Sequence, residues 1–257
     1  MDAYDLQARH APVVFAALPI IVVALALIPS LGDAKFSAGS IGLLLFVTLP
    51  LVAARIARAA GRARQDQLFA LWGGMPTTAM LRFSDNRLNP QTKKVYRERL
   101  ARLGRSFPIP DEDEERRDPA GADIKIGAAM DEVRRRAKEK GNKTVHRENI
   151  NFGAARNAFG LKPFGVGACV IAAIGLVAAI LLRKPPAATP LDIVVAMAIV
   201  TIAATWMFAC TADRVRHHAE AYALALFEAI EVLVTRRAVE RGERAHLEVG
   251  SVEQRRH

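Results

Sequence analysis

The sequence predicts an all-α membrane protein: four transmembrane helices in two hairpins, a helical cytoplasmic insert between them, and a long C-terminal cytoplasmic helix. Three observations lead there. Charged residues make up 24% of the 257, yet mean hydropathy is positive at +0.14, so polar and apolar residues are segregated into blocks instead of sharing one core. Four apolar runs meet or approach the roughly 20 residues that a helix needs to cross hydrocarbon, with about 17 tolerated. Finally, 33 of the 36 Lys and Arg fall on one side of those runs and 3 on the other, and basic residues beside a span stay inside.

The first run, 12–31, reads PVVFAALPIIVVALALIPSL. Asp2 and Asp5 against a single Arg9 make a poor leader, and the apolar stretch exceeds the roughly 7–15 residues of a signal peptide, so an uncleaved span is expected. The second run is 38–54, and Pro19, Pro29 and Pro50 can kink this hairpin where neighbouring helices satisfy the freed carbonyls. These two runs make the first hairpin, 1–54. The second hairpin, 163–211, holds the runs 163–182 and 191–211, with Asp192 at the extreme end of the last. Arg55, Arg58, Arg62 and Arg64 lie directly beside the second run, which is expected to put the insert 55–162, the tail 212–257 and both termini on the cytoplasmic side of the membrane.

Within the insert, the helix leaving the second span is expected to stop at Gly73-Gly74. Met75-Pro76-Thr77-Thr78 reads as a new start with a hydroxyl cap. Asn89-Pro90 opens PQTKKVYRERLARL with a cap and a first-turn proline. FPIPDEDEERRDPAG reads as a linker with almost nothing to bury. Asp118-Pro119 repeats the cap-and-proline signal before a helix ending near Gly141-Asn142, and 146–159 reads as an interfacial helix feeding the third span. No breaker occurs between the fourth span and Gly242, so one helix of about 50 residues, roughly 75 Å, is expected. Along it Val215, Ala219, Tyr222, Leu226, Ala229 and Leu233 form a heptad stripe of under three repeats. That stripe suits either packing on the chain's own insert or self-association as a coiled coil.

Several spacings suggest chemistry without completing a site. His146-Arg147-Glu148 has the H-x-E spacing of zinc deaminases but no PCxxC follows. His217 and His218 point about 100° apart on a helix, so they do not form an i, i+4 metal pair. Pro110-Asp111 with Asp123-Ile124-Lys125 mimics a nuclease spacing inside an acidic stretch without strand pattern. Cys169 and Cys210 sit in apolar runs without CxxC spacing. The sequence therefore points to no catalytic residue, no metal and no cofactor. Arg82, Arg87, Lys93, Lys94, Arg97 and Arg99 fall within eighteen residues. This basic cluster suits lipid headgroups or a phosphate-bearing ligand, nucleotide or nucleic acid included. Ala168 with Ala172, and Gly175 with Ala179, place small residues at four-residue spacing, for close packing within the bundle or between subunits. Tyr222, Leu226 and Leu233 are the matching candidates for oligomerisation in the tail.

The stretch LFALWGGMPTTAMLRFSDNRLNPQTKKVYRERL, with HRENINFGAARNAFGLKPFG before the third span, resembles poorly characterised four-span bacterial membrane proteins of defence and mobile-element operons. The resemblance covers 65–167. It implies a membrane-resident effector, silent until a cytoplasmic partner or signal acts on the insert, and it carries over no site residues. The expected partners are the lipid bilayer, further copies of the chain and a cytosolic protein.

Overall fold

The computed structural model describes residues 11–27, 55–103, 108–183 and 186–254, with side chains described over 11–24, 55–103, 108–183 and 186–235. The second apolar run, 38–54, and the loop before it lie outside the described residues. Nine helices are present among the described residues. They are α1 (Ala11–Leu27), α2 (described over 55–71), α3 (Pro76–Ala79), α4 (Pro90–Leu103), α5 (Glu112–Arg117), α6 (Pro119–Glu139), α7 (Lys143–Leu182), α8 (Pro190–Phe208) and α9 (Ala212–Gln254). No strand occurs among the described residues. The chain divides into two compact units, Met1–Leu68 with Ile150–His218, and Phe69–Asn149 with Ala219–His257.

In the first unit α1 packs on α8, with the Phe15 and Trp206 rings 5.3 Å apart. Trp206 is fully buried in a core that includes Cys169, Ala172, Leu176, Val195, Ile199 and Ile202. Only residues without side chains let the helices meet this closely. A Cβ on Gly165 would lie 2.2 Å from Trp206 Cε2, and one on Gly160 would lie 2.5 Å from the Gly61 amide nitrogen on α2. The α7–α8 hairpin is closed by Arg183, whose Nη2 donates to Asp192 Oδ1 at 2.9 Å. Asp192 also joins Thr189 in a reciprocal capping box that starts α8.

Helices α7 and α8 are long and apolar enough to cross a membrane. Only 28% of the most apolar window of each is buried, whereas the core helix of a soluble protein would be covered on most sides. The uncovered residues are large: Leu182 is 81% and Phe208 83% exposed, and Ile171, Ile174, Val194, Met197 and Val200 also face outward. A soluble monomer rarely exposes an apolar patch above a few hundred Å². Membrane association is compatible with this surface. The apolar helix α1 is shorter, with 17 residues.

The second unit is built on α6, whose buried Ala122, Ile126, Ala129, Met130, Val133 and Ala137 form one stripe at helical spacing. Helices α3 and α5 pack on α6. Helix α9 is held to α4 by a Tyr96–Phe227 ring contact at 5.5 Å and an Arg99–Glu231 ion pair at 2.9 Å, and to α6 by Arg134 Nε donating to the Tyr222 hydroxyl at 3.1 Å.

Several local signals become real caps. Gly73 and Gly74 take positive φ (74° and 127°) after α2, and Gly141 (66°) follows α6. Asn89 Oδ1 accepts from the Gln91 amide at 2.9 Å, Asp118 Oδ1 from Gly121 at 2.9 Å, and Asn142 Oδ1 from Val145 at 3.1 Å.

Three expectations are corrected. Thr77 and Thr78 are buried inside α3, and Met75 occupies the cap position without a side-chain bond. The acidic stretch is no simple linker: Asp111 caps α5, and Glu115 is buried. The fourth apolar run and the tail are separate helices, because the chain leaves helical geometry at Ala209–Thr211. There Thr211 Oγ1 accepts from the Arg214 amide at 3.3 Å, the local hydroxyl-to-backbone bond that favours a new N-terminus over continuation.

Candidate functional site

Two arrangements bring chemistry-bearing side chains together, one in each unit. In the second unit the predicted basic cluster closes a latch around the segment 73–89. Arg82 pairs with Asp123 (Nε–Oδ1 2.7 Å) and donates Nη1 to the Gly73 carbonyl at 2.6 Å. A Cβ on Gly74 would stand 2.8 Å from Arg82 Nη2, so glycine there leaves room for the guanidinium. Arg87 holds Asp85 at 2.6 Å and Glu220 at 3.0 Å. The Lys93 ammonium donates to the Arg82, Phe83 and Asp85 carbonyls. Burial lowers its pKa although Asp85 and Glu115 oppose that.

Arg97 is 6% exposed and lies over the Phe83 ring, 4.0 Å from its centroid. It donates to the Leu81 carbonyl at 2.5 Å, to the Pro110 carbonyl, and to Glu115 at 3.5 Å. Glu115, 7% exposed, also accepts from the Phe83 amide at 2.7 Å. Five of the six cations of this cluster, Arg82, Arg87, Lys93, Arg97 and Arg99, are thus bound to groups of their own unit. Lys94 is exposed on α4, with no ion pair among the described residues. This constellation can fix a fold. A bound anion would have to compete with carboxylates already in place.

The first unit holds a groove of about 490 Å³ between α1, α7 and the α8–α9 junction. Lys162 Nζ donates to the Met207 carbonyl at 3.0 Å and so ties α7 to the C-terminal end of α8. Phe15, Ala155 and Ala158 supply apolar walls, while Asn151, Arg214 and His218 supply polar groups. None of the described lining residues is a carboxylate. The volume lies within the roughly 300–1,000 Å³ usual for small-molecule sites.

No known protein family, curated protein or solved structure matches this chain.

The oligomerisation candidates have defined places. Ala168 and Ala172 are buried in the first unit, and Gly175 and Ala179 are half-buried, with a Cβ on Gly175 meeting Val23 at 3.7 Å. Tyr222, Leu226 and Leu233 are buried, with Tyr222 bonded to Arg134 in the second unit. The enzyme-like spacings are dispersed: Asp111 caps α5, Asp123 pairs with Arg82, and Lys125 pairs with Glu114. His217 and His218 stand edge to face, 5.6 Å between centroids. Among the described residues no group of three or more His, Cys, Asp or Glu could hold a metal ion.

Sequence reasoning missed Glu115, Asn151, Arg214 and the crossing glycines Gly61, Gly160 and Gly165. Only Arg214 left a local signal, as the basic residue in the first turn after Thr211.

Proposed function

We propose that this chain is a non-enzymatic accessory protein of the bacterial inner membrane. Four spans anchor it, both termini and the insert face the cytoplasm, and the second unit receives a cytosolic partner. The observation that carries this reading is the contrast between the two units. The first exposes Ile171, Ile174, Val194, Met197 and Val200 on α7 and α8. The second encloses Ile126, Met130, Leu226 and Ile230 beneath a charged network. An apolar exterior suits lipid, and a charged exterior over an apolar core suits water. The heptad stripe supports the same reading, since Ala219, Tyr222, Leu226, Ala229 and Leu233 are buried within the second unit.

The test is purification of the full chain in mild detergent from its own cells, through a tag at residue 257. A cytosolic protein retained at stoichiometric ratio, and released by charge reversals on the exposed face of α6, supports the reading. Recovery of the chain alone under conditions that preserve known membrane complexes would remove it.

A second reading makes the chain an effector whose self-associated spans perturb the bilayer on a cytoplasmic signal. The half-buried Gly175 and Ala179 favour it, because they leave part of a small-residue face on α7 open to another helix. Liposomes carrying the protein would then leak an entrapped dye, and would stay sealed with Gly175→Leu.

A further inference from the structure

The groove between α1, α7 and the α8–α9 junction combines two chemistries on one lining. Phe15, Ala155 and Ala158 line it with hydrocarbon, and small side chains leave the space open. Arg214, in the first turn of α9, brings a full positive charge to the same lining. Its backbone amide is held by Thr211, which fixes where the side chain departs. No ion pair engages Arg214 among the described residues, and no described carboxylate lines the groove to neutralise it. The groove, lined by Ala158 and Ala209, lies where the apolar exteriors of α7 and α8 begin, at Phe164, Met207 and Phe208. A ligand seated there has apolar surface on one side and a cation on the other.

We infer that this groove binds one anionic phospholipid, with an acyl chain along Phe15, Ala155 and Ala158 and the headgroup phosphate on Arg214. Basic pockets between membrane helices at the level of the headgroups bind such lipids by this combination. Arg214 is exposed, so its guanidinium meets a headgroup phosphate without giving up a protein partner, whereas a neutral ligand gains nothing from it. An anion without an acyl chain would leave the wall empty. The inference rests on the membrane reading of the first unit and goes beyond it by naming an occupant.

The test uses the full chain in mild detergent, with lipid retention followed by native mass spectrometry. Phosphatidylglycerol, diacylglycerol and inorganic phosphate are the three probes. The expected result is one retained phosphatidylglycerol, with diacylglycerol, which has the acyl chains but no phosphate, and inorganic phosphate each retained at least about five-fold less, as loss of one favourable charge contact implies. Arg214→Gln and Ala155→Phe should each reduce phosphatidylglycerol to the diacylglycerol level, and Arg214→Lys should keep most of it. Circular dichroism confirms that the variants are folded; if Ala155→Phe is not, the Arg214 pair decides alone. Equal retention of both lipids, or retention unchanged by Arg214→Gln, overturns the inference. Inorganic phosphate binding as well as the lipid reduces the groove to an anion site and also overturns it. A protein that is soluble and monodisperse without detergent defeats the membrane reading instead, and that outcome is read before any lipid is added.

Discussion

Arg97 and Glu115 meet in the interior of the second unit, 18 residues apart in sequence, with side chains 7% and 8% exposed. Replacing such a pair by apolar residues can be neutral, but removing one partner strands the other charge and typically costs about 3–5 kcal/mol. Glu115→Ala leaves Arg97 its two carbonyl partners but also orphans the Phe83 amide. The expected loss is therefore about 3 kcal/mol in the second unit. Trp72 belongs to that unit and Trp206 to the other, so unfolding followed by fluorescence in a Trp206→Phe background reads the right part. An unchanged midpoint would contradict the buried-pair account. Acid dependence has its own residue. Hydrogen bonds from Arg135, then Arg136, hold Glu132 down at about 2 against some opposing burial, below the ordinary value of about 4.3. A carboxyl lowered by folding stabilises the fold above its unfolded value, and that contribution disappears as pH falls through the folded one. The second unit should lose stability between about pH 4.5 and pH 2. Glu132→Gln should flatten that slope and lower the midpoint temperature at neutral pH. Asp85 acts in the same direction: burial pushes it up, but the Arg87 hydrogen bonds outweigh that and leave it lowered.

At the scale of elements, the crossing of α2 over α7 depends on hydrogen occupying the place of a side chain. A Cβ on Gly160 meets Gly61 N, Ala60 C and Gly61 Cα between 2.5 and 2.7 Å, and backbone cannot swing aside as a side-chain tip can. Gly160→Ala should therefore destabilise the first unit by about 1–3 kcal/mol, the usual range for overpacking. On the same helix, a Cβ on Gly167 meets nothing within 4 Å. Gly167→Ala should be neutral or stabilising by up to about 1 kcal/mol. Thermal unfolding read by Trp206 separates the two, and equal effects would refute the crossing. The contrast also shows which elements were legible in the sequence. Helix ends were, because Asn89-Pro90, Asp118-Pro119, Gly73-Gly74 and Gly141 act on their own neighbours within four residues. The apolar stretches of α7 and α8 were, because composition alone marks them. Gly61 and Gly160 were not, because nothing local says which glycine of one helix will face another 99 residues away. Glu115 was hidden for the same reason. A run of five acids looks solvated until a distant arginine selects one of them. In the basic cluster, position was legible and role was not, since carbonyls and carboxylates of the same unit serve these cations as well as a phosphate would.

For the whole molecule, charge predicts which side of a bilayer each loop would occupy. Arg55, Arg58, Arg62 and Arg64 flank one end of an apolar run, whereas the segment 183–190 carries only Arg183 and Lys184. Arg183 is further neutralised by Asp192, whose carboxylate it grips through both terminal nitrogens. The two opposite charges nearly cancel where they meet. Two basic residues in this segment against four beside the second run give the asymmetry that orients the chain. The two native cysteines lie at 169 and 210 within or beside the apolar helices, leaving a low background for single-cysteine labelling. In intact cells, Ala187→Cys, exposed in the α7–α8 connection, should react with a membrane-impermeant maleimide. Arg117→Cys, exposed at the end of α5, should react only after the cells are opened. Arg183→Gln should leave Asp192 as an unpaired carboxylate at the mouth of α8 and reduce the fraction of correctly inserted chains, with Arg183→Lys restoring part of it. Labelling of Arg117→Cys from outside would invert the topology. Labelling of both positions only in opened cells would place α7 and α8 on one side of the membrane and leave their exposed apolar faces without lipid to cover them.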